Sequence, residues 1–332
     1  TGAVGGHEGD GEGDTYIRRF LADGSDAWTP ITIDDNGANQ GNGVAAFNDG
    51  SSIVAGTFRD DITLGTTTLT GSSSNDIYLT KLDENGNLQW ATALTNDGNA
   101  NVTHIDGYTN GDDSFVYVAG TFNSGSITFN STTAAEQTGS GSGGSSGFLA
   151  KYSFDGNLIW HKIVTGNSND SVIDLDANQQ GSVAITGSVN GQAYINRYSA
   201  DGSLNWTSTA AGETKSISLF EDGSAALAGI QYGDTSLTDA NGDNITIAGN
   251  TNNSKSAYVA RTNADGSFVW GYPIHGDQNA PSIGDQDVRD LAALSDGSTM
   301  VVGRYFETLR FDDLSTTLNK IGETDSYIAK ID

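Results

Sequence analysis

The thirteen residues from Tyr78 to Trp90, YLTKLDENGNLQW, decide how the chain folds, because their pattern returns along its whole length. In each complete copy a glycine follows the first aromatic residue by eight positions, and a tryptophan follows that glycine by four. The other complete copies are Tyr16–Trp28, Phe148–Trp160, Tyr194–Trp206 and Tyr258–Trp270, and a shortened copy, YIAKID, begins at Tyr327. Constant spacing with variable residues between the fixed positions predicts a structural repeat.

Each copy reads as a β-hairpin, because two apolar runs flank a turn of the form [DN]-G-[NS]. We name its strands C and D, and we place these hairpins at residues 16–32, 78–94, 148–164, 194–210 and 258–274, with a partial one at 327–332. A second hairpin, strands A and B, precedes most copies; GVAAF and SIVAGTF around the turn at Asn48–Ser51 are one example. Residues 1–14 are expected to hold part of a strand and a Gly-rich acidic loop.

These repeats predict an all-β fold, and no stretch has the sustained 3.6-residue apolar period of a helix. Four-stranded antiparallel units that return every 46 to 70 residues are typical of the blades of a β-propeller. We therefore predict that residues 1–332 form a single β-propeller domain of five blades, with six blades as the alternative. An array of β-sandwiches is the second candidate fold. The long links between strands B and C alternate in polarity, and we expect them to prolong those two strands as a ribbon.

The composition excludes several functions. Acidic residues outnumber basic ones by 42 to 15, for a formal charge of −27, which disfavours nucleic acid and anionic membranes as partners. The chain has no cysteine, and it has no apolar run long enough to span a bilayer. Thr1 does not begin a signal peptide, so we expect a monomeric domain within a larger chain. An extracellular location on a bacterial cell surface suits this composition.

The pattern [YF]-[ILV]-x-[KR]-x-x-x-[DN]-G-[NS]-x-x-W, followed by D-G-S-x-x-V-x-G, resembles the bacterial β-propeller repeat known as the SBBP repeat. NDIYLTKLDENGNLQW and SSGFLAKYSFDGNLIW carry the first half of the resemblance, and GSVAITGS carries the second. The resemblance covers nearly the whole chain. It implies a propeller fold and a secreted or surface-exposed protein, but it implies no particular ligand. The acidic, Cys-free composition, rich in Thr, Asn and Gly, is also similar to that of domains of large bacterial adhesins.

The five tryptophans have a fixed place in the repeat, which indicates packing between sheets rather than stacking on sugars. They are Trp28, Trp90, Trp160, Trp206 and Trp270. A basic residue lies three positions after each first aromatic residue, and we expect it to pair with a carboxylate or to lie over an aromatic ring. The turn Asp and Asn residues are expected to stabilise their own turns.

Loop length indicates where a ligand binds. The A-to-B and C-to-D turns are short, whereas the B-to-C and D-to-A links are long and varied, and binding residues concentrate on variable loops of a rigid scaffold. On that side we expect carboxylates at the start of strand A (Asp106, Asp174 and Asp290) and in neighbouring links (Asp170, Asp277 and Asp285). They would hold Ca²⁺ or the hydroxyls of a glycan, unless they form only a solvated acidic rim.

Asp239, Asn241 and Asp243 have the alternating oxygen ligands of a calcium loop, although the EF-hand pattern is not met. The four histidines share no metal-binding spacing, and no catalytic motif is present. We therefore predict a non-catalytic, adhesin-like module that binds a glycan or a cell-surface protein, with Ca²⁺ as its candidate cofactor. The alternatives are a propeller glycosidase or lyase that uses channel carboxylates, and an inert spacer domain.

Overall fold

The computed structural model describes residues 2–7, 14–33, 38–110, 113–123, 125–142, 144–278, 284–311 and 318–332, and every regular element in them is a β-strand. The chain divides into two compact units, Thr1–Val172 (unit 1) and Ile173–Asp332 (unit 2). We describe each unit by itself, and a single domain stays a prediction. Most of the expected Gly-rich acidic loop, residues 8–13, lies outside the described residues. No described residue belongs to a helix that is long and apolar enough to cross a membrane.

Unit 1 contains three blade-like sheets, ordered β1-β2-β3, β13-β12-β9-β8-β5-β4 and β10-β11-β14-β15, and a small sheet of β6 and β7. The strands are β1 Gly2–His7, β2 Asp14–Arg19, β3 Ile31–Ile33, β4 Asn39–Ala46, β5 Ser52–Phe58, β6 Ile62–Leu64, β7 Thr67–Leu69, β8 Asp76–Leu82, β9 Leu88–Asn96, β10 Ala100–Asn110, β11 Asp113–Asn123, β12 Ser126–Phe129, β13 Gln137–Ser140, β14 Ser145–Ser153 and β15 Leu158–Val164.

Unit 2 also contains three such sheets among its described residues, ordered β16-β17-β18-β19-β22-β23, β20-β21-β24-β25-β28-β29 and β26-β27-β30. The unit boundary falls within the first strand, β16. The strands are β16 Ser171–Ala177, β17 Val183–Val189, β18 Gln192–Tyr198, β19 Leu204–Ala210, β20 Glu213–Leu219, β21 Ala225–Tyr232, β22 Thr235–Thr238, β23 Asn244–Ile247, β24 Lys255–Thr262, β25 Phe268–His275, β26 Gln286–Ala293, β27 Thr299–Tyr305, β28 Thr308–Phe311, β29 Leu318–Asn319 and β30 Asp325–Ile331.

The predicted A-B-C-D order is confirmed. In unit 1, for example, β10, β11, β14 and β15 pair antiparallel in sequence order. Strand A ends its sheet and packs against strand A of the next blade, as β4 does against β10 and β20 against β26. We call strand A the inner strand of its blade, and contacts between inner strands hold successive blades side by side. The all-β fold of four-stranded antiparallel blades is confirmed, and the number of blades stays a prediction.

The cores lie between neighbouring blades, so a central strand is buried on both faces. In β5, Ile53 and Ala55 face one cluster together with Val116 of β11. The alternate residue Val54 faces the opposite cluster together with Ile17 of β2. Because successive side chains of a strand point to opposite faces, a strand between two blades reads as a continuous apolar run.

The turn glycine of one copy of the repeat contacts the tryptophan of the preceding copy, in the neighbouring blade. The turn glycine adopts a left-handed backbone, with φ of 82° at Gly86 and 87° at Gly266. The tryptophan of the preceding blade lies on it: a Cβ on Gly86 would come within 2.7 Å of Trp28, and one on Gly266 within 2.7 Å of Trp206. Trp206 Nε1 also donates to the backbone O of Ala264, at 3.0 Å. Glycine is needed there both for its dihedral and for the space it leaves.

A glycine near the end of strand B has a similar role inside the blade. It lies opposite the first aromatic residue of strand C, as Gly56 does opposite Tyr78 and Gly229 opposite Tyr258. A Cβ on Gly229 would be 2.4 Å from the Tyr258 ring, and the Tyr258 hydroxyl donates to Glu213 O of strand A at 3.2 Å. The aromatic ring therefore covers the glycine and reaches the innermost strand.

The expectation that long B-to-C links prolong strands B and C is wrong. Three of these links form separate hairpins that pair with strand D of the preceding blade: β12–β13 on β9, β22–β23 on β19, and β28–β29 on β25. Strand D is the outer edge of its blade, and an added hairpin supplies partners for backbone groups that would otherwise be unpaired. The uneven link lengths therefore reflect which blade edges are covered.

Candidate functional site

The antiparallel order places the connections of each blade at two ends. The A-to-B and C-to-D turns lie at one end, which we call the turn side, and the B-to-C and D-to-A links lie at the other, the link side. Turn-side connections are tight, as at Phe47–Ser51, where Phe47 N donates to Ser51 O at 3.0 Å. The link side of unit 1 carries a polar cavity, and this cavity is the candidate site.

Asp76, at the start of β8, lines this cavity and joins the two chain segments beside it. Its carboxylate is fully buried and accepts hydrogen bonds from the backbone N of Ser72 at 2.7 Å and of Asn96 at 2.9 Å. One carboxylate thus ties the B-to-C link to the end of strand D. Asn96 continues the connection, because its side-chain amide donates to the backbone O of Asn123 in the next blade. The links around the cavity are therefore held by buried hydrogen bonds.

The cavity has a volume of about 300 Å³. Its polar lining comes from two blades and includes the hydroxyls of Thr70, Ser72, Thr95, Ser126 and Thr128 and the carboxylate of Asp97. Within the part of the chain that the structure describes, the side chains of Thr95, Ser126 and Asp97 have no hydrogen-bond partner. Donors and acceptors without partners therefore surround a space large enough for a sugar-sized ligand.

The structure joins Asp174 and Asp290 of unit 2 through the strand between them. Asp174, on β16, is buried and accepts from the backbone N of Leu175 and of Ile217, each at 2.9 Å. Asp290, on β26, accepts from the backbone N of Leu291 and the hydroxyl of Ser216, each at 2.8 Å. Both carboxylates thus bond to the inner strands. Their role as ligand-binding residues stays a prediction.

The remaining predicted carboxylates also bond to the protein. In unit 1, Asp106 accepts from Gly107 N at 2.8 Å, and buried Asp170 accepts from the backbone N of Gly166. In unit 2, Asp277 lies 3.6 Å from Arg310, and Asp285 accepts from Lys255 N at 3.1 Å. These contacts stabilise the links and inner strands, and whether the four residues also bind a ligand stays a prediction.

The predicted calcium loop is the turn of the outer hairpin β22–β23. The Asp239 carboxylate accepts from the backbone N of Asn241 at 2.8 Å and of Asp243 at 2.9 Å, so it turns inward onto its own loop. Among the described residues, no group of three or more His, Asp or Glu side chains is placed to hold a metal ion. Calcium binding stays a prediction.

The tryptophans lie between blades or beside aromatic neighbours. Trp90 Nε1 donates to Phe154 O at 3.0 Å, and partly buried Trp28 packs on the core between the first two blades. Trp160 lies 5.5 Å from Tyr117, and Trp270 lies 5.1 Å from Tyr272, measured between ring centroids.

The basic residues of the repeat contact rings or turns. The Lys81 ammonium lies 3.0 Å from the centroid of Phe154, and burial lowers the pKa of Lys81. Lys330 instead pairs with Asp296 at 2.8 Å. Arg19 donates to the backbone O of Gly50 and of Glu84, each at 2.8 Å, and so joins two turns of the next blade.

A larger cavity, about 450 Å³, lies on the turn side of unit 2. Its most prominent polar group is already in use, because Arg261 lies 3.9 Å over the Phe220 ring and donates to Ser224 Oγ and to Gly297 O. We take the unit 1 cavity as the stronger candidate, because buried hydrogen bonds to Asp76 hold both of its links and its hydroxyls come from two blades.

The residues that matter most in this cavity were missed by the sequence analysis. Thr95 lies one residue before the end of a D strand and Ser126 begins an inserted hairpin, and nothing in their local sequence distinguishes them from the many other hydroxyl residues. They meet only because β12 pairs with β9 of the preceding blade. The length of the link before Ser146 indicated a functional region, but the sequence did not show that this link pairs with β9.

No protein-family model and no curated protein matches the chain. Among solved structures it is similar to the Dos1 propeller, at 9% identity and a TM-score of 0.46, over 87% of this chain and 69% of that one. It is also similar to a protein from Lactobacillus plantarum, at 12% identity and a TM-score of 0.41, over 98% of both chains. Streptogramin B lyase is a third, at 12% identity and a TM-score of 0.34, over 79% and 89%. These values are too low to transfer an activity.

The class of protein follows from the chain's own blades. Four-stranded antiparallel sheets, inner strands in contact and cores between neighbouring sheets define a β-propeller protein built from sequence repeats. The resemblance of the repeat to bacterial β-propeller repeats is thus confirmed at the level of fold.

Proposed function

We propose that the chain is a non-catalytic ligand-binding module, and that it binds a glycan in the polar cavity on the link side of unit 1. The observation that carries the proposal is the cavity lining: hydroxyls of Thr95 and Ser126 and the carboxylate of Asp97 have no partner among the described residues. Sugar hydroxyls both donate and accept hydrogen bonds, so they complement a carboxylate acceptor and threonine and serine hydroxyls.

The rigidity of the cavity supports the same proposal. Asp76 fixes both links with buried hydrogen bonds, so little conformational entropy is lost when a ligand binds. A few hydrogen bonds to well-solvated sugar hydroxyls give weak binding, and we expect a dissociation constant of about 1 mM for a single sugar. Repetition of such modules along a larger surface protein would raise the overall affinity.

The proposed setting is a secreted or surface-anchored bacterial protein with an adhesive role. Its support is the acidic, Cys-free composition and a formal charge of −27. A cell-surface protein is the alternative ligand, and the experiment below tests whether Ca²⁺ aids binding.

The test is a glycan array followed by calorimetric titration of the best ligand, in buffer with calcium and in buffer with chelator. We expect Asp97→Asn to weaken binding by about fivefold or more, because a carboxylate accepts stronger hydrogen bonds than an amide. Glu84→Gln is the matched control, since it removes the same charge from an exposed residue on the turn side, and it should change affinity by less than about twofold.

Unchanged binding by Asp97→Asn and by a Thr95→Ala, Ser126→Ala double variant would rule out this cavity as the glycan site. Weaker binding in the buffer with chelator would show that calcium contributes to glycan binding. Steady chemical conversion of the bound glycan, which the titration would register as continuous heat, would instead favour a glycosidase or lyase.

A further inference from the structure

Unit 2 gathers three basic side chains around one buried carboxylate. Asp287 Oδ2 lies 3.0 Å from Arg289 Nη2, 3.4 Å from Arg304 Nε and 3.7 Å from Lys255 Nζ. The whole chain has only 15 Lys and Arg residues against 42 Asp and Glu, so three cations at one carboxylate run against the overall charge. We call this group the cationic cluster.

The backbone explains why these side chains meet on the link side. The ladder between β26 and β27 shifts register between Val288 and Asp290, which makes Arg289 the extra residue of a β-bulge. A bulge turns its side chain away from the regular alternation. Arg304 is the cross-strand partner of Asp287 and lies next to Gly303, which faces Tyr327. Lys255 begins β24 of the neighbouring blade.

The charges of the cluster do not balance. The Asp287 side chain is 7% exposed and needs one cation as a partner, yet three lie within 4 Å. Counting Asp285, which accepts from Lys255 N, cations still exceed carboxylates by three to two. Like charges held this close repel one another, and an anion placed between them would remove the repulsion.

The guanidinium groups also keep donors available. Each is within ion-pair distance of Asp287 through one nitrogen, and the side chains of Arg289 and Arg304 are 55% and 44% exposed. Because both side chains are about half exposed, their guanidinium groups are accessible to an anion, and a planar guanidinium can bind a carboxylate or a sulfate through two N–H groups. Asp287 holds the cations in place, and its own charge neutralises only one of them.

We propose that Lys255, Arg289 and Arg304 form an anion-binding site that takes the carboxylate of a uronic acid or the sulfate ester of an acidic glycan. The site is in unit 2 and does not depend on the glycan cavity of unit 1. The strongly acidic chain repels an anion at long range, so binding should be strongest at an ionic strength that screens this repulsion but leaves the short-range contacts.

The experiment is a calorimetric titration of the full chain with trigalacturonate, with its methyl ester and with inorganic sulfate, in about 150 mM NaCl. We expect trigalacturonate to bind and the ester, which lacks the charge, to bind at least about tenfold more weakly. Arg289→Gln and Arg304→Gln should each weaken the binding of trigalacturonate by about fivefold or more. Both arginines are about half exposed, so both variants should fold, which circular dichroism checks.

Arg18→Gln is the matched control, because Arg18 pairs with Asp26 in unit 1 and carries the same charge. It should alter affinity by less than about twofold. Tighter binding of sulfate than of trigalacturonate, lost in the same two variants, would assign the site to sulfate esters. Equal binding of acid and ester, or wild-type affinity in both cluster variants, would overturn the proposal, as would no binding of either anion. Failure of the unit 1 cavity variants would leave this result unaffected.

Discussion

In both units strand A of one blade packs against strand A of the next, but the residues that make this contact differ. In unit 1, β4 and β10 pack through small and apolar residues: a Cβ on Gly43 would lie 2.4 Å from Ile105 Cγ2, and one on Gly107 would lie 2.7 Å from the Phe47 ring. In unit 2, side chains of one inner strand bond to the backbone of the next. Asp174 accepts from Ile217 N at 2.9 Å, and Ser218 Oγ accepts from Ala293 N at 3.0 Å.

The difference shows two ways of accommodating the edge of strand A that pairs with no other strand. The first and third residues after the bulge face the next inner strand, as Ser216 and Ser218 do in β20. Acceptors at these positions satisfy backbone N–H groups that have no strand partner. Glycine and alanine allow the strands to approach closely instead. An aspartate here is therefore explained by backbone pairing before any ligand is invoked.

The largest effect should come from removing a buried acceptor in unit 2. Asp174→Ala leaves the backbone N–H of Leu175 and of Ile217 without the carboxylate, and we expect the free energy of unfolding to fall by about 3 kcal/mol. Urea denaturation measures this. Asp174→Asn keeps only one of the two acceptor oxygens, so it should lose less stability than the alanine variant but still leave one backbone N–H without an acceptor. A loss below about 1 kcal/mol for the alanine variant would show that the unit 2 strands do not depend on these bonds.

The next effect should come from filling the close approach in unit 1. Gly43→Ala forces a methyl group against Ile105, and overpacking of this kind costs about 2 kcal/mol in unfolding free energy. The same denaturation experiment applies. Because Ile105→Ala removes the clashing methyl, the double variant should lose less stability than the sum of the two single variants. Simple additivity would mean that the two residues are not in contact.

The smallest effect concerns a feature that both units share, the turn carboxylates. Hydrogen bonds from Ser199 and Ser203 lower the pKa of Asp201 in unit 2 to about 2, and those from Ser25 lower the pKa of Asp23 in unit 1. A folded-state pKa below the unfolded value, near about 3.9, contributes stability that is complete above that value. This stability is lost as the pH falls from about 4 to about 2.

Asp201→Asn and Asp23→Asn should therefore each flatten the acid side of the stability profile slightly, and to a similar degree. Urea midpoints between about pH 4.5 and pH 2.5 give the comparison. If only one of the two variants responded, the turns would differ between the units as the inner strands do.

Much of the fold was predictable because its determinants are local. The glycine-containing turns and the apolar runs beside them recur at fixed spacing, and each reports a dihedral or a neighbour within one blade. The inserted hairpins were not predictable, because the pairing of β12 with β9 joins segments about thirty residues apart across two blades. The site depends on that pairing, so Thr95, Ser126 and the cationic cluster were not found.

By itself, the sequence determined the repeat and its four strands, since short-range backbone geometry and periodic burial determine the spacing of residues. Only the tertiary structure decided which polar residues keep free hydrogen-bonding groups. The partners of a carboxylate depend on the groups that packing brings next to it. Asp174 accepts from the backbone of the next strand A, Asp97 lines a cavity, and Asp287 lies beside three cations.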